Sequence, residues 1–366
     1  MKFVILVIVL LIFSVNRNAF ISSDEAVNLQ MVKNMQMDPE RFMLRPSYDP
    51  GGHASWEKES MSHILMTPFF HYLLLGFNKI LPGDLLLSSS IFQSILLLIF
   101  FYFFFIKRKI FSGNNQDGHE IEFFMLSIFP VAYFLHLEHE GPMVLFGFCS
   151  ILLAAEGLKN DRKLMFILSG FFLGLGFLSK LWLVGPFGIG LIFMLIHSIY
   201  KKEYSAQKYI ISSFLLLLAF LSTSASHLIS IYIVSPQDLN IWVDNVYLGI
   251  ITGGGDYGTK ESSSAGWTQP IYYYVYTIVR DLLSVFPLIT LGVLNLWRFR
   301  GENRLSNLSI GLFGIFSGFV PLSFSWTKEP LYILPCYFAL IILSIQFYHL
   351  KINRNEILKI FILNSL

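Results

Sequence analysis

Two adjacent carboxylates and three isolated basic side chains are the residues of this sequence best suited to chemistry. Asp24 and Glu25 directly follow the first apolar run, and later apolar runs hold or adjoin Lys180, Arg280 and Lys328. At about 1.5 Å per residue from the opposite helix ends, Lys180 and Arg280 reach one bilayer boundary, and Lys328 follows a tryptophan at that level. Each of these cations, taken singly, is more simply explained as a side chain that extends its charge to the membrane interface. Three cations at one depth beside acids indicate a pocket for an anion such as a lipid phosphate.

A second acidic group lies in FLHLEHEGPMVLFGF, residues 134–148. It contains Glu138, Glu140 and two histidines between two apolar runs. An ordinary solvated loop also explains it, and the H-E-x-x-H spacing of a metal site is absent. The two glutamates and two histidines also suit a metal site, but that signal is weak without a fixed spacing. No cofactor is predicted, and a divalent metal is possible but not indicated. Asp281 directly follows Arg280 and would offset its charge.

The local pattern around Asp24 also has a purely structural explanation. Ser22 to Glu25 has the form S-x-x-E, in which Ser22 caps a helix and Glu25 reaches back to the Ser22 N–H. Acids in the first turn also suit the helix dipole. This helix cap does not need Asp24.

Most of the chain consists of apolar segments that would hold these groups. The 366 residues are 54% hydrophobic and only 14% charged, whereas soluble domains are about 25% charged. The prediction is an all-α polytopic transmembrane bundle with external loops and juxtamembrane helices, because helices satisfy their own backbone in lipid. Ten runs can span, and a last run, 357–366, is too short, which gives about 10–11 spans in all. The runs are 3–20, 85–106, 121–137, 142–158, 164–180, 181–200, 209–234, 278–297, 305–326 and 330–349.

Basic clusters orient the bundle. The run 62–81 is interrupted by Pro68, His71 and other polar residues, so it suits either a span or a helix in the membrane interface. If it lies in the interface and the N-terminus is cytoplasmic, every dense basic cluster falls on the cytoplasmic side. The acids and the three cations then share the outer face with two polar loops, 22–84 and 235–277.

The chain is expected to form one transmembrane domain, 1–366, without a separate soluble domain. The start, MKFVILVIVLLIFSV, is expected to be an uncleaved first span, since no small-residue cleavage site follows it. Both cysteines, Cys149 and Cys336, fall in apolar runs, which argues against a disulfide framework. No basic cluster alternates with aromatic residues, so no nucleic-acid partner is expected. The stretch KESSSAG fits a binding loop or a plain linker equally.

Six segments, in order, resemble the GT-C membrane glycosyltransferases, closest to the branch of protein O-mannosyltransferases and lipid A aminoarabinose transferases. In that pattern Asn28 stands in place of a tyrosine, Met66-Thr67 in place of His-Pro, and Glu140 in place of an aspartate. Each motif alone is degenerate, and their order is the stronger signal. The segments are SSDEAVNLQMVKNM, MTPFFHYLLLGFNKIL, EHEGPMVLFGFCSILLAA, SGFFLGLGFLSKLWLVG, TQPIYYYVYTIVRDLLSVFPL and TKEPLYILPCYFALIIL.

The resemblance implies a transferase that moves a monosaccharide from a polyprenyl-phosphate donor to a hydroxyl acceptor. Asp24 would be the general base, because an attacking hydroxyl must lose its proton, and the anomeric carbon would be inverted. Lys180, Lys328 and Arg280 would stabilise the leaving phosphate. Glu25 keeps its helix-capping role with Ser22.

The resemblance also implies the acceptor side and the location. The acceptor would be oriented by Glu140 and Glu138, with His71 or His53 nearby. It would be a surface glycan, a lipid such as lipid A, or a protein. The protein would be an integral component of the bacterial inner membrane, in contact with membrane lipids, with its active site on the extracytoplasmic side.

Two other functions fit the same features. A transporter or flippase for a lipid-linked sugar would also be polytopic with boundary cations, but transporters place polar residues at mid-membrane, where these runs are apolar. A catalytically inactive scaffold of the same fold would carry the substitutions at Asn28 and Met66-Thr67.

The orientation is tested at Gly254, in the second polar loop. In a Gly254→Cys variant we expect a membrane-impermeant thiol reagent to react from the extracytoplasmic side of intact cells, because the positive-inside arrangement places this loop there. Wild type is the matched control, since its two cysteines lie in apolar runs. Reaction only from the cytoplasmic side would invert the bundle.

Overall fold

The computed structural model describes residues 7, 10, 23–39, 67–81, 83–103, 127–201, 205–234, 236, 239–241, 243, 270–286, 289–290, 306–324 and 330–348. These residues form α-helices and short 3-10 segments, and none is in a strand. The all-α prediction is confirmed. The helices are α1 Ser23–Met37, α2 Phe69–Ile80, α3 Leu85–Phe101, α4 Ile128–Leu135, α5 Glu140–Asn160, α6 Lys163–Lys180, α7 Gly185–Tyr200, α8 Ala206–Ser224, α9 Ser226–Val234, α10 Leu239–Ile241, α11 Tyr273–Asp281, α12 Asn307–Ser317, α13 Phe319–Leu322 and α14 Leu334–Tyr348.

Helices α5 and α6 form an antiparallel pair at the centre of the bundle. A tight turn joins them at Asp161, whose φ of 53° is left-handed and ends α5. Halfway along the pair, the hydroxyls of Ser150 and Ser169 lie 3.0 Å apart and satisfy each other in an apolar interior. The far end of the pair, where α5 begins at Glu140 and α6 ends at Lys180, is called the site end below.

The chain reverses between α6 and α7. Leu181 has φ 46° and ψ −128°, which ends the α-helix, and a 3-10 segment, Leu181–Val184, follows. The ring of Phe187 packs on Gly147, and Gly190 lies against Ile151, so α7 runs parallel to α5 and antiparallel to α6. The reversal coincides with the predicted boundary between runs 164–180 and 181–200.

Close contacts between small residues hold several of the other helices. Helix α7 crosses α12 where Gly190 faces Gly311 and Gly314, and α8 approaches α6 at Gly170. Backbones approach this closely only where side chains are absent, which is the usual basis of helix association in lipid. The ring of Phe338 in α14 packs with the rings of three other phenylalanines: Phe100, Phe134 and Phe148.

Helix α2 lies across the site end. It has 12 residues, or about 18 Å, which is shorter than the hydrocarbon core of about 30 Å. Its axis makes an angle of 108° with α3. The Asp84 carboxylate caps α3 by accepting a hydrogen bond from the Leu86 N–H at 3.0 Å. Helix α2 is thus too short to span by itself, and its place in the membrane interface stays a prediction.

Within the described residues, three helical stretches are long and apolar enough to cross a membrane: Glu140–Asn160, Lys163–Tyr200 and Gln207–Val234. The bent pair of α2 and α3 adds a fourth when counted as one span. Because Lys163–Tyr200 reverses direction at Leu181, it provides two passages. The other predicted spans are shorter helices here or lie partly outside the described residues, so the total of 10–11 stays a prediction.

The packing of α7 on α12 yields a paired test in one helix. A Cβ added at Gly190 would lie 2.7 Å from the Gly311 carbonyl oxygen, whereas a Cβ at Gly188 would meet no atom within 4 Å. We expect Gly190→Ala to lower the thermal unfolding midpoint in detergent, because overpacking reduces the free energy of unfolding by about 1–3 kcal/mol. Gly188→Ala should leave the midpoint unchanged or slightly raised, since alanine favours a helix. Equal midpoints for the two variants would contradict this packing.

Candidate active site

A buried ion pair lies at the centre of the site end. Lys180 Nζ lies 2.7 Å from Glu140 Oε1, with the two side chains 8% and 0% exposed. Glu140 begins α5 and Lys180 ends α6, so each charge also faces the favourable end of its own helix dipole. The Lys180 ammonium also lies over the Tyr332 ring, 5.8 Å from its centroid. The predicted phosphate ligand and the predicted acceptor-side acid are therefore direct partners.

The turn 136–139 joins α4 to this ion pair. Gln93 Nε2 donates to the carbonyl oxygens of His136, at 2.8 Å, and Glu138, at 3.0 Å. His136 Nδ1 lies 3.6 Å from Glu138 Oε1. Burial alone would raise the pKa of Glu138, but His136 and Lys180 outweigh burial, so its pKa is lowered. Glu138 is therefore a carboxylate at neutral pH.

His139, the last residue of that turn, is a neutral imidazole. Its Nδ1 lies 3.0 Å from the Ser179 carbonyl oxygen, to which it donates. Burial, reinforced by the nearby His71 and Lys180, holds the pKa of His139 well below its usual value. The ring packs against Phe70 and His71, with centroids 4.6 and 5.2 Å away.

Helix α1 is attached to the turn by two buried side chains on one face. Glu25 Oε1 accepts from the Leu137 N–H at 2.9 Å, and Asn28 Nδ2 donates to the Leu137 carbonyl at 2.9 Å. Asn28 Oδ1 also lies 3.0 Å from His71 Nε2 in α2. Glu25 therefore makes a tertiary bond in addition to its predicted capping role, whose partner Ser22 lies outside the described residues. Asn28, which departs from the family pattern, belongs to the site.

Helix α2 is attached at its start. The hydroxyl of Thr67, a fully buried residue, donates to the Leu178 carbonyl of α6. Pro68 precedes the helix, and His71 is one turn further along. The Met66-Thr67 departure thus still provides a polar contact that holds α2 against the site end.

Arg280 belongs to a neighbouring polar group. Its Nε lies 2.6 Å from the fully buried Asp281, which also accepts from the hydroxyls of Tyr133 at 3.1 Å and Tyr337 at 2.8 Å. The Arg280 side chain is 42% exposed, with its guanidinium over the Tyr276 ring. Asp281 offsets the charge of Arg280, as the sequence indicated, and this weakens the prediction that Arg280 binds a phosphate.

The structure brings together Glu138, Glu140, His71 and Lys180 of the predicted site residues. The backbone of Asp24 lies in the first turn of α1, one residue before the buried Glu25, and its side chain lies outside the described part of the chain. Lys328 and His53 also lie outside it, and Lys328 precedes Tyr332 by four residues. Among the described residues, no group of three or more His, Cys, Asp or Glu could hold a metal ion.

Sequence reasoning missed the tertiary bonds that Gln93, Asn28 and Thr67 make to backbone carbonyls at the site end. Gln93 stands in the apolar run LLLSSSIFQSILLL, where a fully buried amide needs partners. That isolated amide could have predicted a polar partner on another segment of the chain. Asn28 and Thr67 carried no such signal, because their partners are carbonyls more than 100 residues away.

Comparisons with known proteins agree with this architecture. Residues 66–227 match the family described as dolichyl-phosphate-mannose-protein mannosyltransferase. No curated protein matches the chain. The matched segment contains His71, Glu138, Glu140 and Lys180, whereas Asp24, Arg280 and Lys328 lie outside it.

Two solved structures share the fold. ArnT from Cupriavidus metallidurans bound to undecaprenyl phosphate has a TM-score of 0.69 and 12% identity, over 94% of this chain and 59% of that chain. The apo structure of the same protein has a TM-score of 0.67 and 13% identity, over 98% and 60%. The chain thus spans about three fifths of the ArnT length. The GT-C fold is confirmed, and the family match and the fold together support the GT-C glycosyltransferase family.

The buried ion pair yields a stability prediction. Lys180→Met leaves the Glu140 carboxylate buried without its cation, so we expect a loss of about 3 kcal/mol in unfolding free energy. The double variant Lys180→Met/Glu140→Gln should recover much of that loss, because neither charge remains. Thermal unfolding in detergent, analysed as a double-mutant cycle, measures the coupling.

The matched control is a second lysine pair near the opposite end of α5. Lys208 and Asp161 are 53% and 50% exposed, so Lys208→Met should cost less than about 1 kcal/mol. A Lys180→Met variant as stable as Lys208→Met would show that the buried pair contributes nothing to the fold.

Proposed function

We propose that this chain, whose fold is that of the GT-C membrane glycosyltransferases, transfers a monosaccharide from a polyprenyl-phosphate donor to a hydroxyl acceptor at the extracytoplasmic face. The observation that carries the proposal is the buried pair of Lys180 and Glu140, 2.7 Å apart, at the site end. It lies beside α1, the helix that carries Asp24. A cation, acids and neutral imidazoles gathered at one end of an apolar bundle favour chemistry at the surface over passage through the bundle.

Lys180 is the main proposed ligand of the donor phosphate. Without a bound donor the ammonium pairs with Glu140. The phosphodiester of the donor carries one negative charge, as a carboxylate does, and a second charge develops on the phosphate as the sugar leaves. A bound donor competes with Glu140 for Lys180, and the positive charge of the ammonium stabilises the second negative charge that develops on the leaving phosphate. Arg280 contributes less, because Asp281 already holds its Nε at 2.6 Å. Lys328 is the second proposed phosphate ligand.

Asp24 is the proposed general base. It lies in the first turn of α1, next to Glu25, whose carboxylate is bonded to the Leu137 N–H. The bonds of Glu25 and Asn28 hold the start of α1 against the site end. Asp24 removes the proton of the attacking hydroxyl as the bond to the anomeric carbon forms, and attack opposite the phosphate inverts that carbon.

Glu140 and Glu138 are proposed to act on the acceptor side. Glu138 is a carboxylate 3.6 Å from His136 Nδ1, and Glu140 lies 2.7 Å from Lys180 Nζ. When the donor phosphate occupies Lys180, the Glu140 carboxylate becomes available to hydroxyl donors. Donor binding thus prepares the acceptor position.

The decisive variant is Asp24→Asn. Because the amide cannot take a proton at neutral pH, we expect transfer from a polyprenyl-phosphate sugar to fall by about 10²–10⁴-fold. Transfer is measured with purified protein in liposomes, and donor binding should be retained.

The control is Asp38→Asn, the same change at the exposed far end of α1, which should leave transfer unchanged. Undiminished transfer by Asp24→Asn would remove Asp24 as the base. Movement of the lipid-linked sugar across the bilayer by wild type, without any transfer, would identify a flippase instead.

A further inference from the structure

His71 lies between α1 and the turn 136–139, with its two ring nitrogens in different situations. Its side chain is 3% exposed. Nε2 lies 3.0 Å from Asn28 Oδ1, whereas Nδ1 is buried with no hydrogen-bond partner among the described residues. The ring packs at 61° to Phe70 and at 76° to His139, which leaves it little freedom to turn.

The Asn28 carboxamide determines the tautomer of His71. Its Nδ2 donates to the Leu137 carbonyl at 2.9 Å, so the amide cannot be flipped without placing two acceptors together. Oδ1, which only accepts, must then face His71. The imidazole therefore carries its hydrogen on Nε2, and Nδ1 presents a bare lone pair.

The polar groups around His71 already have acceptors of their own. The hydroxyl of Thr67 donates to the Leu178 carbonyl, and that of Ser179 donates to the Leu175 carbonyl at 2.9 Å. His139 Nδ1 donates to the Ser179 carbonyl at 3.0 Å. A buried acceptor without a donor is unfavourable, so the group that meets His71 Nδ1 must bring its own O–H or N–H.

We infer that His71 Nδ1 accepts a hydrogen bond from a hydroxyl of the acceptor substrate, and that Asn28 is the positioning residue that keeps Nδ1 unprotonated for this bond. The inference rests on the proposed function and specifies its acceptor side. Glu140, next to His139 in sequence, is a second buried group with acceptor oxygens, and Lys180 lies 2.7 Å from its Oε1. A ligand with several hydroxyls suits these two groups, so the acceptor class that we infer is a carbohydrate.

Two isosteric substitutions separate the two nitrogens of His71. In His71→Gln a side-chain amide reaches the Nε2 position and can still bond Asn28, but the acceptor at the Nδ1 position is lost. In His71→Asn the amide oxygen takes the Nδ1 position, and the bond to Asn28 is lost. Both variants lose the ring, so any loss of packing is shared.

Transfer is measured in liposomes with a fixed polyprenyl-phosphate donor and a glycan extract from cells that lack this gene. We expect His71→Gln to raise the half-saturating extract concentration roughly tenfold, the value of one hydrogen bond, and His71→Asn to raise it about twofold. Half-saturation by the donor should stay within about twofold for both, because Lys180 is untouched. Equal acceptor effects in the two variants, or none, would show that Nδ1 meets only a bound water.

A nitrogen spectrum tests the tautomer without any activity. In protein labelled with ¹⁵N-histidine, the two His71 signals, assigned by their absence in His71→Asn, should show a protonated Nε2 and an unprotonated Nδ1. Asn28→Asp should draw a second proton onto the ring, because a carboxylate then faces it, and both nitrogens become protonated.

The two readouts separate the two ideas. If wild type transfers no sugar, the proposed function fails, and the spectrum still decides whether Asn28 sets the tautomer. A protonated Nδ1 in wild type would overturn the inference even if transfer is normal.

Discussion

The ion pair between Lys180 and Glu140 is the interaction on which the site end depends. Neither charge is stable alone in so apolar a surrounding, because removing a charge from water costs several kcal/mol, about as much as its partner restores. The pair therefore requires the start of α5 and the end of α6 to lie side by side. It also holds in one place the cation that we propose binds the donor phosphate and the carboxylate that such binding would release.

The elements around this pair are held by bonds to backbone atoms. Glu25 and Asn28 bond both polar groups of Leu137, and Thr67 bonds the carbonyl of Leu178. Lipid offers no hydrogen bonds to backbone N–H and C=O groups. Where the chain leaves a helix, side chains must therefore supply those hydrogen bonds. In the interior of the bundle, by contrast, close contacts at glycines and packed phenylalanine rings hold the helices together. Packing of small and aromatic side chains thus holds the bundle interior, whereas the site end depends on specific polar partners.

The fold illustrates that difference. At 12% identity, ArnT from Cupriavidus metallidurans matches 94% of this chain. A helical membrane fold needs apolar runs of suitable length, small residues at crossings and polar residues at run ends, and many sequences satisfy those needs. Substituted motif positions are consistent with this. Asn28 and Thr67 differ from the family pattern, and each bonds a backbone carbonyl, Asn28 that of Leu137 in the turn and Thr67 that of Leu178 in α6.

The apolar runs of the sequence by themselves determined the all-helical class, most helix positions and the boundary at Leu181, because membrane helices follow hydropathy and length. Charge placement also singled out Glu138, Glu140 and Lys180, since ionisable residues are rare in apolar runs. Only the tertiary structure decided that Glu140 pairs with Lys180, that Asp281 holds Arg280 between two tyrosines, and that Asn28 orients His71. Those partners are 40 residues or more apart in most cases, and no local pattern encodes which polar group a buried charge will meet. Periodicity is a property of neighbours along the chain, whereas the satisfaction of a buried polar group is a property of neighbours in space.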